Sequence, residues 1–509
     1  MHPLRAALLP GLLLLRGRRV LTAQSRAQTP PPWPARNVSG GLRGPGSAGT
    51  GFVRAHGEGQ PTEHGEEEEE ELLDAQPPLP LLSSAHRVCI LHPDVKGPAG
   101  RKLRSTAEND VAEAASLVRT LPGWSVARTL VVPTKVPDSK MVFGKGNFRD
   151  VTEKIRGSQD ITCVFLNVER MSVQTKTALE AAWGVPVLDR FTVVLHVFRC
   201  NARTREARLQ LALAEIPLLR STLSTRTTTQ NQPGQGSRYI MGSGVSSTEL
   251  RQRALRDREA RIRQALARLR DKRDLLRKLR TKREFPVVSV VGYTNSGKTT
   301  LIKALTGDAA LQPRDQLFAT LDVTAHAGWL PSRVPVLYVD TVGFLSRLPH
   351  GLIQAFSATL GDVAHSDVVV HVRDVAHPDT ELQKETVLST LQGLRLPPTL
   401  LDTVLEVHNK VDLVPGYQPT VSGALTVSAT SGLGLDELKE ALEGLVLQAT
   451  GRTVVTLQVP LGGVELSWLY AEATVQQLEE MPDECTAQLT VIISQAALCR
   501  FRKLFPGVL

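Results

Sequence analysis

The residues best placed to do chemistry form one stretch, Gly292-Tyr293-Thr294-Asn295-Ser296-Gly297-Lys298-Thr299. It follows the apolar run Phe285 to Val291 and precedes the helical pattern Thr300 to Leu305. A GxxxxGK[ST] spacing between strand and helix suits phosphate. The glycines let the backbone wrap closely, exposed N–H groups and the helix N-terminus take the oxygens, Lys298 reaches the β- and γ-phosphates, and Thr299 offers a hydroxyl to Mg2+. This predicts a nucleoside triphosphate site and does not separate ATP from GTP.

Three further elements follow in order. Asp340-Thr341-Val342-Gly343 comes after the β-rich run Val334 to Val339. An Asp at a strand end can hold the Mg2+ shell through water, and the Gly343 amide can sense a γ-phosphate. Alone, DxxG is more often an ordinary turn; here it lies where a metal-holding strand belongs. Next, Val404 to Val407 runs into Asn409-Lys410-Val411-Asp412. The Asp412 carboxylate can accept from guanine N1–H and N2–H2 together, whereas adenine has no such donor pair and would leave the carboxylate unpaired. Asn409 and Lys410 would brace the base pocket. Last, Ser428-Ala429-Thr430 supplies backbone amides for guanine O6. Four elements in this order predict GTP as substrate. Phe344 occupies the position after DxxG where Ras-like enzymes carry a water-orienting Gln. An apolar ring cannot polarise water, so intrinsic hydrolysis is expected to be slow and to depend on a partner or a backbone group for positioning. The plain reading is a packing residue beside the loop; the two are compatible, and neither supplies a catalytic base.

The elements that must position these residues sit in a long, basic chain. Its 509 residues predict about two to four domains, and 60 Lys and Arg against 51 Asp and Glu give a net charge of +9. That excess points to polyanionic partners, nucleic acid above all, though it also fits mere solubility. The 5 cysteines are scattered without a CxxC pair, which argues for packing in a reducing compartment. Arg5, Arg16, Arg18, Arg19 and Arg26 lie among Leu and Ala, and no acidic residue precedes Glu58. This is the pattern of a mitochondrial transit peptide over 1–28; a secretory reading of Ala6 to Leu15 meets Pro10 and then arginines. No stretch has the roughly 18 apolar residues of a spanning helix, so no membrane partner is expected.

Residues 29–85, rich in Pro, Gly and Ser with an acidic run Glu66 to Glu71, read as a disordered leader. Over 86–202, β-branched runs (Val88 to Leu91, Arg128 to Val132, Ile161 to Leu166, Pro186 to Leu188) alternate with helical patterns near Asp110 to Leu121 and Val173 to Ala182. They predict an α/β domain. Over 203–284 the pattern is a helical hairpin: Thr204 to Leu219, a polar tip Ser221 to Gly244, and Thr248 to Arg283. Leu255, Ile262, Leu269 and Leu276 recur every seven residues, as in a coiled-coil seam. Arg251 to Arg283 holds 15 basic residues against 4 acids. A solvated face is the plain reading; RNA contact through Arg251, Arg258, Arg263, Arg270, Arg273 and Arg277 is the sharper one. Residues 285–450 read as the GTP-binding domain, with a mostly parallel sheet and flanking helices expected, and 451–509 as a small α+β domain.

The chain resembles the HflX family of GTPases, within the Obg–HflX group. The residues that carry the resemblance are GYTNSGKT (Gly292 to Thr299), DQLFATLD (Asp315 to Asp322), DTVGF (Asp340 to Phe344) and NKVD (Asn409 to Asp412). Leu348-Pro349-His350, His377-Pro378-Asp379, Gly144-Lys145-Gly146, Asp189-Arg190 and Arg203-Thr204-Arg205-Glu206 are also similar. The resemblance implies that Phe318, Ala319, Thr320, Leu321 and Asp322 form a switch at the nucleotide, with the Thr320 hydroxyl completing the Mg2+ shell. Metal ligands would then be Thr299 and Thr320, with Asp340 through water; Lys298, Thr320 and Gly343 would serve catalysis. The family's Gly-Pro-Gly-Glu loop is replaced by Met241-Gly242-Ser243-Gly244-Val245, so no second nucleotide site is carried over.

The resemblance further implies a ribosome-binding GTPase that reaches toward the large-subunit active centre and helps separate the subunits. With the transit-like N-terminus, the expectation is a monomeric recycling factor in the mitochondrial matrix, whose partners are the mitochondrial large ribosomal subunit and its RNA. The rivals are a late assembly factor of that subunit and a non-ribosomal GTP switch.

Overall fold

A computed structural model describes residues 72, 84–95, 106–134, 142–230, 247–282, 285–347, 352, 361–394, 396–419, 423–481 and 486–506. The transit segment, all of the leader but Leu72, Ser84 and Ala85, the Met241 to Val245 loop and Leu348 to His350 lie outside them. The chain divides at Gln60, and only the second unit, Pro61–Leu509, contains described residues.

Strands β1 (His86–Val95), β2 (Trp124–Thr134), β3 (Cys163–Leu166) and β4 (Val187–Asp189) form a parallel sheet in the order β2-β1-β3-β4. Helices α1 (Ala107–Thr120), α2 (Lys145–Arg156), α3 (Val173–Trp183) and α4 (Arg190–Asn201) flank it. Side chains alternate across a strand, so β1 sends Val88 and Ile90 into one core and Cys89 and Leu91 into another. A sheet buried on both faces explains the apolar runs seen in the sequence. Burial pushes the Cys89 thiol up to about 11 and the Cys163 thiol up to about 12, which fits packing roles for both.

Two long helices follow, α5 (Arg205–Gln230) and α6 (Ser247–Lys282). Leu209, Ala212 and Ile216 of α5 pack on Ile262 and Ala265 of α6, with Leu269 beside them. The pairs Glu206 with Arg273 and Arg220 with Glu259 make the helices antiparallel. The first helix runs to Gln230 and absorbs 221–230, which the sequence places in a loop. The side chains of Leu276 and Arg277 lie outside the described residues.

The third layer is a six-stranded sheet, β10-β9-β8-β5-β7-β6: β5 (Val287–Gly292), β6 (Thr324–Trp329), β7 (Pro335–Asp340), β8 (Val368–Asp374), β9 (Leu405–Asn409) and β10 (Leu425–Thr426). All neighbours are parallel except β6 against β7. Helices α7 (Lys298–Thr306), α8 (Thr380–Gly393), α9 (Pro398–Asp402) and α10 (Leu435–Ala449) cover it. A three-stranded antiparallel sheet closes the chain, β11 (Arg452–Pro460), β13 (Thr486–Ser494) and β12 (Thr474–Glu480) in spatial order, with α11 (Val464–Glu472) and α12 (Gln495–Leu504). Among the described residues no helix is long and apolar enough to cross a membrane.

One packing fact bears on the site. Val88, Ile90, Leu117, Phe191 and Phe198 of the N-terminal sheet layer share a single core with Phe318, Val342, Phe344 and Leu345 of the third layer. The loops around the nucleotide motifs are thus packed directly on the N-terminal domain.

Candidate nucleotide site

The loop 292–297 leaves the end of β5 and enters α7 at Lys298. Space dictates its glycines. A Cβ at Gly292 would lie 2.4 Å from the Val372 carbonyl oxygen, and one at Gly297 would lie 2.3 Å from Asn409 Nδ2. Gly297 also has φ +91°, a left-handed conformation that favours glycine, and Asn295 shares that region at φ +61°. Lys298 is buried, and its Nζ donates to the Tyr293 carbonyl at 2.8 Å and to the Gly292 carbonyl at 3.3 Å. Burial pushes its ammonium down to about 8, with the Asp340 carboxylate opposing. Asn295 Nδ2 donates to Asp315 at 2.7 Å, and the Thr294 and Ser296 hydroxyls are buried without partners. A cavity of about 50 Å3 lies here, lined in part by Asn295, Gly297, Thr299, Ala319, Thr320 and Gly343. A larger one of about 740 Å3 lies away from the loop, between the hairpin base and the C-terminal sheet.

The three residues expected at the metal converge. The Thr299 hydroxyl donates to Asp340 Oδ2 at 2.6 Å, the Thr320 hydroxyl to the same oxygen at 3.1 Å, and the two hydroxyls are 3.0 Å apart. Two ligands at right angles, each about 2.0–2.1 Å from Mg2+, are separated by about 3 Å. The Asp340 carboxylate is buried, its Oδ1 has no partner, and burial raises its pKa against the Thr299 hydroxyl, Lys298 and the Thr320 hydroxyl. All-oxygen donors, one edge of octahedral length and an orphaned carboxylate oxygen fit a hydrated Mg2+.

After β7, Thr341 Oγ1 donates to the Val290 carbonyl at 2.7 Å and Val342 is buried. Gly343 is pressed against the loop: a Cβ there would lie 2.8 Å from Thr294 Cα and 3.0 Å from Lys298 Nζ. Phe344 is buried in the shared core, and its backbone forms an isolated parallel bridge with Tyr293. Thr294 N–H donates to the Phe344 carbonyl at 2.7 Å and Phe344 N–H to the Gly292 carbonyl at 3.1 Å. The ring is therefore a packing residue; it faces no solvent.

At the far side, Asn409 is buried at the end of β9. Its Nδ2 donates to the Ser296 carbonyl at 2.9 Å and its Oδ1 accepts from Ala429 N–H at 3.1 Å, tying the phosphate loop to the 428–430 turn. Lys410, at φ +67°, donates to Asp374 at 2.6 Å. Val411 and Asp412 follow on a one-turn helix, with Asp412 exposed. Ser428 is buried with its hydroxyl 3.2 Å from that of Thr430. The Ser428 and Ala429 N–H groups are committed to the Leu433 carbonyl and to Asn409 Oδ1, while the exposed Asp412 carboxylate can take the donor edge of a planar base.

Some expected residues have other partners. Asp322 faces the hairpin: its Oδ1 accepts from the Thr204 hydroxyl at 2.6 Å, and its Oδ2 from the N–H groups of Arg203 at 3.1 Å and Thr204 at 3.3 Å. Phe318, at φ +55°, is buried edge-on against Phe198 at 4.7 Å, and its carbonyl accepts from Asn201 Nδ2 at 2.9 Å. Leu321 lies in the shared core. Of the proposed RNA contacts, Arg251 and Arg270 are exposed, while Arg263 pairs with Glu259 at 2.6 Å. Arg258 is half-buried and donates to the Leu72 carbonyl at 3.4 Å, and Arg273 is held by Glu206 and by Asp362 at 3.1 Å.

Glu113, Arg190, Asn201 and Thr204 belong to the surroundings of the site, and sequence spacing singles out neither Glu113 nor Asn201. Arg190 stands in a motif, and its reason is local. Asp189 caps α4 by accepting from Thr192 N–H at 2.9 Å, which starts the helix and buries Arg190 against Glu113 and Asn167.

Three family descriptions match in series: GTP-binding GTPase N-terminal over residues 108–199, GTP-binding GTPase Middle Region over 201–280, and 50S ribosome-binding GTPase over 287–410. Putative GTP-binding protein 6 of Mus musculus is 70% identical over 505 residues, which are 99% of this chain and 98% of that protein. GTPase HflX of Escherichia coli is 30% identical over 392 residues, 73% of this chain and 90% of that one. Among solved structures, a GTP-binding protein from Sulfolobus solfataricus in complex with GDP matches at 20% identity and TM-score 0.38, covering 71% of this chain and 99% of that one.

Proposed function

The chain belongs to the HflX family of GTPases, and on that premise we propose that it is a ribosome-binding GTPase that dissociates or recycles mitochondrial ribosomes. It would act through contacts near the active centre of the large subunit. The observation that carries the reading is the bond between Asp322 and Thr204. It joins the nucleotide switch to the N-cap of the first helix of a basic helical arm, so the state of the nucleotide bears on the part of the chain suited to RNA. The transit-like N-terminus supports a mitochondrial setting, and the match to a 50S ribosome-binding GTPase supports a large-subunit partner.

In this reading the amides of 293–299 and Lys298 hold the β- and γ-phosphates, and Asp412 reads guanine while the 428–430 turn receives O6. Thr299 and Thr320 would hold Mg2+ directly and Asp340 through water. The ion would supply charge neutralisation on the β- and γ-oxygens. The Gly343 amide donates to the γ-phosphate. Water attacks the γ-phosphorus as the bond to the β-phosphate oxygen breaks, giving GDP and phosphate. Among the described residues no side chain at the site is placed to act as base, and Phe344 cannot orient water. Turnover is therefore slow until a partner orders the site.

The test is to add purified mitochondrial large subunits to the full chain and measure GTP turnover and binding at low and high salt. Stimulated turnover with salt-sensitive binding is expected. No stimulation and no binding in low salt would refute the ribosome reading and leave the nucleotide site untouched. Gradient profiles after depletion then separate the two ribosomal roles: stalled intact monosomes mark recycling, immature large subunits mark assembly.

A further inference from the structure

Three segments distant in sequence meet at one carboxylate. Glu113 of α1 accepts from the Tyr293 hydroxyl, in the phosphate loop, at 2.5 Å. It also accepts from the Ser346 hydroxyl, three residues past Gly343, at 2.9 and 3.1 Å. Arg190, at the start of α4, pairs with the same carboxylate and donates to the Ser346 carbonyl at 2.8 Å. Ser346 N–H in turn donates to the Tyr293 hydroxyl at 2.7 Å. All three polar groups of Ser346 are thus committed to this cluster. The next residue, Arg347, has φ +52°, a left-handed backbone that a non-glycine residue seldom adopts, and its guanidinium is held by Asp110 of α1 at 2.9 Å.

We propose that Glu113 is a positioning residue for GTP hydrolysis, supplied by the N-terminal domain to lock the phosphate loop against the segment that carries Gly343. The proposal rests on the GTPase assignment and not on the ribosome reading. Only two residues, Phe344 and Leu345, separate Ser346 from Gly343, and both are buried. They cannot absorb a shift of Ser346 by swinging into solvent. Gly343 itself has no slack, since a Cβ on it would already meet Thr294 Cα and Lys298 Nζ. A displacement of Ser346 therefore moves the Gly343 amide relative to Lys298. That amide matters only where charge develops on the γ-phosphate, and a donor that must be placed during reaction is worth far less than one already in place. Tyr293 is well suited to the lock: burial and the neighbouring Glu113 charge raise its pKa, so the phenol stays a donor.

The lock makes a signature distinct from that of a contact that merely joins two domains. GDP lacks the γ-phosphate, so loosening Gly343 spares GDP binding and slows hydrolysis. The experiment is single-turnover GTP hydrolysis by the full chain without ribosomes, with GDP affinity measured in parallel, for Tyr293→Phe, Glu113→Ala and Glu113→Gln. Tyr293→Phe and Glu113→Ala should each slow hydrolysis by about tenfold to a hundredfold while GDP affinity stays within about twofold. Glu113→Gln, which keeps an acceptor oxygen, should recover part of the rate. The double variant should be no slower than the slower single one, because both remove the same lock. Where Glu113→Ala fails to fold because Arg190 is left buried and unpaired, Tyr293→Phe decides alone, since it deletes one oxygen and keeps the ion pair. Rates within twofold of the parent, faster hydrolysis, or GDP binding lost in step with hydrolysis would each overturn the proposal.

Discussion

Lys298 gives the most quantitative expectation, and pH is the perturbation that reaches it. Burial brings the pKa of its ammonium down to about 8, with the Asp340 carboxylate opposing the shift, while Nζ donates to two carbonyl oxygens. A bound polyphosphate adds several negative charges beside it and raises that pKa again. The sign follows from proton counting. Below about pH 8 free and bound protein both carry the proton, and affinity is flat. Above it the free protein has lost a proton that the complex retains, so binding must take one up and affinity falls as pH rises. With a free-state pKa of about 8, half of the free molecules are competent at pH 8 and about a tenth at pH 9. GTP affinity should therefore weaken about twofold at pH 8 and about tenfold at pH 9 relative to neutral pH. Equilibrium binding of a fluorescent GTP analogue with Mg2+ held constant measures this, in a range above the phosphate titration. Affinity that is flat to pH 9, or that tightens, would show that Lys298 is not held as described.

Asn409→Ala removes both hydrogen bonds between the phosphate loop and the 428–430 turn and leaves the Ser296 carbonyl and the Ala429 N–H without their partner. A cost of about 2 to 4 kcal/mol in denaturant melts is expected, with nucleotide binding weakened at least tenfold; a change below about 0.5 kcal/mol would contradict the contact. Asp412→Asn should shift preference from guanine toward xanthine nucleotides by about a hundredfold or more, and unchanged selectivity in competition binding would remove this residue from the base pocket. Ile262→Ala, which opens a cavity between Leu209, Ala212, Ile216 and Ala265, should cost about 2 to 4 kcal/mol and raise hydrogen exchange in α5 and α6; unaltered protection would mean the hairpin seam does not hold the helices.

The sequence discloses what is local. The phosphate loop, the Asp340 turn and the Asn409 turn each end a buried parallel strand, so an apolar run followed by a small set of polar residues makes them visible. Helix α4 was not visible for the opposite reason. Arg190 through Phe198 are all buried, so the helix has no polar face and no 3.6-residue period to read. Edge strand β6 has only Gly328 buried, which leaves no alternation to find. The extension of α5 to Gln230 was hidden by Pro217 and a run of Ser and Thr, types that favour turns when considered singly. Contacts between segments were least accessible of all. Asp322 meets Thr204 across 118 positions and Glu113 meets Tyr293 across 180, and neither member of either pair carries a local mark of its partner.

Those long-range contacts change how the switch residues are understood. Thr320 and Gly343 are the two groups whose hold depends on the γ-phosphate in the proposed reading. Thr320 lies two residues before Asp322, which binds the N-cap of the hairpin's first helix, and Gly343 lies three before Ser346, which is enclosed by Glu113 and Arg190. The N-terminal domain and hairpin therefore contact both segments, and the shared core also holds Phe318 and Phe344. Packed cores move between discrete arrangements and do not deform smoothly. Loss of the γ-phosphate would release Thr320 and Gly343 together, and a change at either is opposed by the same buried core. Such an arrangement favours a concerted response of the arm to hydrolysis over independent movements of two loops. Phe344, which follows Gly343, is itself a member of that core, so its ring serves the packing of this segment.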